Sequence, residues 1–339
     1  NVLSTGDDHM MQEDSNSLLS GLKNRTTKTN QATLLGKDNS ANTTNNSLIS
    51  GLSNRDWDGS NNTVIGNLED VSGALNTLTS GLSNNVRNEN NTFTTGQSNI
   101  VKDGSNNIVS GYNNTSDENR NSFLLGNQNN NKQMLSSGVL GEKNTTIATT
   151  NSIIVGKENN DNLSKNSMSI GLKNTSIRPI SSIVGGEENS VTDASNAIVY
   201  GKKNIVNTSK QSIIVGSENN SNFDNNSGII GNNNTNNTVQ NMLVVGHDNT
   251  STSNTSNLTV GKSNNVTNSE TSGVFGNDNT ENNSEASMVV GSSNITNTNV
   301  DSIIVGKQNE AENNKRIGVI GNIIDVSNNT ENSLLVGKK

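Results

Sequence analysis

The stretch Asn151-Ser152-Ile153-Ile154-Val155-Gly156 decides the fold of this chain, because it returns. It comes back as Gln211-Ser212-Ile213-Ile214-Val215-Gly216 and as Asp301-Ser302-Ile303-Ile304-Val305-Gly306. Its glycine belongs to a series that starts at Gly6 and reaches Gly321 in steps of 15 without a slip, followed by Gly337 one residue late. Three residues after the glycine stands Asn in nearly every unit, as in Asn24, Asn99, Asn204 and Asn309; the exceptions are His9, Glu69 and Ile324. Four residues before it stands a Ser in over half of the units. A fixed period of this kind is the signature of a solenoid.

Each unit reads as a short aliphatic strand closed by glycine, then a polar bend, then a return rich in Asn, Ser and Thr. Val and Ile suit a pleated strand, and glycine accepts the positive φ of a tight corner. Fifteen residues cannot hold the two helices of the common helical repeats, and the aliphatic residues lack a 3.6-residue spacing. The expected fold is therefore all-β: a parallel β-solenoid, read as one repetitive domain over residues 1–339 with about 22 coils. Coils stacked about 4.8 Å apart predict a rod on the order of 105 Å long. Stacking also sets each Asn above the one before, where turn preference alone or a ladder of side-chain amides would equally select it.

Composition agrees with a repeat and disagrees with a conventional globule. Of 339 residues only 27% are hydrophobic and 2% aromatic, too few for an ordinary core of this size. The net charge of −8, spread without blocks, argues against a nucleic-acid partner. There is no cysteine, so disulfides and thiolate metal sites are excluded. No run approaches the roughly 20 apolar residues of a membrane helix, and no secretory leader is visible at the start.

The aliphatic strand carries a second message. Successive strand residues point to opposite faces, yet the position two before the glycine is apolar as well as those one and three before it. Leu19, Ile49, Val109, Ile154, Ile214, Val244, Val289 and Ile304 occupy that middle position. A strand apolar on both faces is buried on both faces. One face can fill the coil; the other needs a partner, which predicts a closed symmetric oligomer. Early units often place Ser or Thr just before the glycine (Ser20, Ser50, Ser80, Thr95, Ser110), which predicts looser packing there.

The unit Asn-Ser-aliphatic-x-aliphatic-Gly, as in Asn151 to Gly156 and Asn332 to Gly337, resembles the head repeat of trimeric autotransporter adhesins, the YadA-like heads. The resemblance extends over nearly the whole chain in more than twenty copies. It implies a left-handed parallel β-roll assembled as a homotrimer about a three-fold axis, on a bacterial cell surface. It also implies a coiled-coil stalk and a C-terminal outer-membrane anchor, so that the present chain reads as a head fragment without membrane contact of its own. Its function would be attachment to host cells through a surface receptor or an extracellular matrix protein. The Asn-rich, Lys-containing composition is further similar to fusobacterial adhesins that bind CEACAM receptors.

No catalytic, cofactor or metal constellation is visible. His9 and His247 are far apart in sequence, and Glu187, Glu188 and Glu218 sit among Lys157, Lys202 and Lys307 as a solvated edge. Neither a calcium-binding nonapeptide roll nor a phosphate-binding glycine loop occurs. The chain is expected not to be an enzyme. An ice-binding solenoid would need a regular Thr array, and the Thr positions drift. A polysaccharide-acting solenoid would need longer coils and a cluster of acids. Aromatic residues outside the strand are the candidate receptor contacts, since Trp and Tyr dominate binding hot spots. They are Trp57, flanked by Arg55 and Asp58, together with Tyr112 and Phe223. Phe93, Phe123 and Phe275 fall in the aliphatic stripe and read as packing residues.

Overall fold

The computed structural model describes residues 2–327 and 330–338. Among these, every regular element is a β-strand. Each 15-residue unit makes one coil: a five-residue strand centred one residue before the glycine, such as Ile153–Lys157, and a three-residue strand such as Asn160–Asn162. Each strand pairs in parallel with its counterpart 15 residues on, so that Ile153 meets Met168 and Gly156 meets Gly171. A third side, not anticipated, is a column of single bridges such as Leu135 to Thr150 and Thr150 to Lys165. The chain is thus a parallel β-solenoid of about 22 coils. It divides into two compact units, Asn1–Leu172 and Lys173–Lys339, built from the same coil.

Three corners separate the three sides, and each is turned by a residue of positive φ. In one coil these are Glu158 at 56°, Leu163 at 56° and Asn166 at 53°. Asn and Asp tolerate this conformation better than other non-glycine residues, which explains part of the Asn content. The repeated glycine has a different duty. Gly156 has φ +125°, and a β-carbon there would collide with the backbone carbonyl of Gly171 in the next coil. The period is therefore a steric requirement: every coil approaches the next too closely at this point for any side chain.

Five positions per coil point inward. In the coil ending at Leu163 and its successor they are exemplified by Ser152, Ile154, Asn159, Asp161 and Ser164, none more than 1% exposed. Only the position of Ile154 is regularly aliphatic. The interior is therefore mostly polar, and hydrogen bonds must do what apolar area does elsewhere.

The Asn column supplies them. Asn99 donates from its backbone N to Asn84 Oδ1 at 3.0 Å and from Nδ2 to the same oxygen at 2.9 Å, while Nδ2 also reaches the Gly111 carbonyl at 3.0 Å. The same pattern links Asn204, Asn219, Asn234 and Asn249 in the second unit. The column is a ladder, and it holds the carbonyl of the glycine corner as well. A second ladder, on the surface, runs from Asn46 through Asn61, Asn76, Asn91 and Asn106 to Asn121 at 2.8–3.0 Å.

Two expectations about the strand change. The middle aliphatic residue faces the interior, with Ile154, Ile214 and Ile304 at most 1% exposed, and its two neighbours face outward. Ser50, Ser80 and Ser110 therefore lie on the outer face and do not loosen the inside, where Leu19, Leu34, Ile49 and Val64 are fully buried. Phe93 and Phe123 are likewise not packed inside. They stand on the outer face, 40% and 38% exposed.

Candidate functional site

Two surfaces of the coil stand out. The first is the outer face of the long strands. In the first unit it carries Leu48, Ile65, Phe93, Ile108, Phe123, Ile153 and Ile170, all exposed. In the second unit Ile183, Ile198, Tyr200, Ile213, Ile230 and Ile303, also exposed, occupy the corresponding two positions of the long strand. Single exposed apolar residues need no explanation, but contiguous columns of them mark an interaction surface. The face is also levelled. Phe123 covers Gly138, and a β-carbon on that glycine would strike the ring. Tyr200 lies over Gly185 with its Cδ2 2.8 Å from the place a β-carbon would take, and Leu243 covers Gly228. Bulky side chains thus lie along the sheet rather than standing off it.

The second surface is a groove on the short-strand side of the first unit. Trp57 and Arg55 lie two residues apart on the strand Arg55–Trp57, both pointing out, while Asp56 between them points in. The buried Asp56 accepts from Ser47 Oγ at 2.6 Å and from Asn62 Nδ2 at 3.0 Å. At the surface the tryptophan is therefore flanked by Arg55 and by Asp58, which is exposed at the corner with φ 52°. Arg25, Lys23, Met10 and Ser40 line the groove with Arg55 and Trp57, enclosing about 570 Å³. The small Ser40 lies between Arg25 and Arg55 in the ladder and opens the gap.

The other candidates are not brought to this groove. Tyr112, 46% exposed, closes the long strand Ile108–Tyr112 several coils away. Phe223, 62% exposed with φ 55°, turns a corner in the second unit. Tyr200, also 62% exposed, is an aromatic that sequence inspection passed over because it sits inside the aliphatic triplet.

The charged edge after the glycine is a set of ion pairs between coils, such as Lys157–Glu142 at 3.3 Å and Lys202–Glu187 at 3.2 Å. Among the described residues no cluster of three or more His, Asp or Glu has the geometry of a metal site. His247 Nδ1 lies 2.9 Å from Asp248, and His9 Nε2 lies 3.1 Å from the Thr5 carbonyl oxygen.

Inside the solenoid sit acids that the sequence did not mark as special: Asp56, Glu69, Glu89, Asp161, Asp224 and Glu281, none more than 1% exposed. Burial pushes the carboxyls of Glu69, Glu89, Asp161 and Glu281 up to about 7 and that of Asp224 up to about 6. Burial also raises Asp56, against the hydrogen bonds from Ser47 and Asn62. These acids are enclosed by the coils and cannot meet a substrate. The chain matches no protein-family profile, and no curated protein is similar to it.

Proposed function

We propose that this chain is the head of a trimeric bacterial surface adhesin, a left-handed β-roll whose three copies pack through their long-strand faces. The observation that carries this reading is the pair of exposed apolar columns on that face, levelled by bulky residues lying over glycines. Such a face is unfavourable in water and is relieved by burial against copies of itself, since each chain presents the same columns. The repeat's resemblance to YadA-like heads supports the three-fold arrangement. An anchor outside this chain would hold it at the outer membrane.

The head attaches to a host surface receptor, of the CEACAM type or a matrix protein, through features that break the repeat on the sides left free. It acts by binding and not by catalysis. Three copies around one axis present each weak contact three times, which raises the overall affinity without new contacts. Sedimentation of the purified chain, followed by binding to receptor-bearing and receptor-free cells, tests both parts. A single-chain mass in native buffer would refute the assembly, and equal binding to both cell types would refute receptor recognition.

A further inference from the structure

We propose that the groove around Trp57 is a binding site for an acidic saccharide, with the indole as its platform and Arg25 and Arg55 as its acid-reading groups. The inference rests on the reading of the chain as a surface-binding head and assigns that head a ligand class. Its starting point is an imbalance of charge. The chain carries −8 overall, yet the groove gathers Lys23, Arg25 and Arg55 against Asp8 and Asp38. Some cations further along this protein pair with acids from neighbouring coils, as Lys102 does with Asp117 at 3.3 Å. The three groove cations make no ion pair among the described residues, and the Arg25 guanidinium donates to the Met10 sulfur at 3.4 Å and to no carboxylate.

The geometry suits a sugar acid. Arg25 and Arg55 stand in one column with Ser40 between them, so their Cα atoms lie two strand spacings, about 9–10 Å, apart. Guanidinium groups on long side chains can close on a carboxylate or sulfate placed over the serine, offering two parallel N–H donors each. Trp57, 44% exposed, sits at the other end of the same short strand as Arg55. Its flat face can receive the apolar side of a pyranose ring, as an aromatic surface with a polar margin does in many sites. Asp38 and Asp8, which also line the groove, can accept hydrogen bonds from hydroxyls, which a saccharide has in number. The volume of about 570 Å³ lies within the usual range of small-ligand sites. The groove opens on the short-strand side, so packing through the long-strand faces leaves it free.

Trp57 is the only tryptophan, so its fluorescence reports this groove and no other place. The full chain would be titrated with 3′-sialyllactose, with 6′-sulfolactose and with lactose, and the acidic ligands checked by calorimetry. The expected result is a saturable change with at least one acidic sugar, with a Kd on the order of 1 mM per site, and a markedly weaker response to lactose. Preference for one acidic sugar identifies whether a carboxylate or a sulfate is read. R25Q and R55Q should each weaken the acidic ligand roughly tenfold while leaving circular dichroism and mass unchanged. No change with either acidic sugar, or equal binding of lactose, overturns the proposal.

Binding of the head to host cells before and after removal of sialic acid and sulfate separates the two readings. Cell attachment that survives both treatments and W57A, together with no response to the acidic sugars in solution, refutes the saccharide site and leaves the adhesin standing. Sugar binding in solution without any cell attachment refutes the adhesin and leaves the site.

Discussion

Glu69 takes the place of an asparagine in the interior ladder, and its two carboxyl oxygens accept from Asn84, Oε2 from the backbone N at 3.0 Å and Oε1 from Nδ2 at 3.3 Å. It thereby keeps the ladder continuous while introducing an acid into the buried interior, and burial lifts its carboxyl to about 7. Restoring the repeat with Glu69→Asn should stabilise the first unit by on the order of 1–2 kcal/mol at pH 8 and by less at pH 5. Thermal melts of the variant and wild type at the two pH values measure this, and a gain that is larger at pH 5 would contradict it.

The other interior acids extend the argument to the whole chain. Between the ordinary carboxyl range near 4 and their raised values of about 6 to 7, the folded state holds protons that the unfolded state has released. Stability from these groups is therefore fully present below about pH 4. It falls as pH rises and is lost by the time pH passes 7. The melting temperature should drop between pH 5 and pH 8. A melting temperature that climbs across that interval would show that the acids are solvated or paired in a way this interior does not provide.

The two faces of the long strand make opposite predictions for the same change. Ile154, Ile214 and Ile304 to Asp puts charge into the coils and should unfold them, each substitution costing several kcal/mol. Ile153, Ile213 and Ile303 to Asp charges the outer face instead. It should leave the β-sheet signal in circular dichroism intact and reduce the mass in sedimentation to that of one chain. If the outer-face variant unfolds, or keeps its assembly, the long-strand face is not the contact between copies.

The two ladders differ in what they support. Asn219 donates to Asn204 Oδ1 at 3.0 Å and to the Gly231 carbonyl at 2.7 Å, and accepts from Asn234 N and Nδ2 at 3.1 Å. Asn219→Ala strands these groups inside the coil and should cost on the order of 3 kcal/mol. Asn91 sits in the exposed ladder, where water replaces lost partners. Asn91→Ala should cost only about 1–2 kcal/mol, mostly for holding alanine at positive φ. Denaturant melts of the two variants distinguish them, and equal losses would remove the distinction between the ladders.

The 15-residue recurrence of glycine was enough to specify coil length, parallel pairing and register, because a backbone approach as close as that of Gly156 to Gly171 admits no side chain and so records itself in every unit. Strand alternation likewise required that one of two apolar faces be left over. Which face turned inward was not legible from the triplet Ile153-Ile154-Val155 alone, since all three residues are apolar. The decision belongs to the corners and to Ser152 and Asn159, which must point in to hydrogen-bond and so carry Ile154 with them. The same alternation turned Asp56 inward and separated it from Trp57, and only the stacking of three coils set Arg25, Ser40 and Arg55 into one groove. Residues 15 or 30 apart in sequence become neighbours only when the coil closes. The repeat specifies which columns exist, and the folded coil decides which of them meet water.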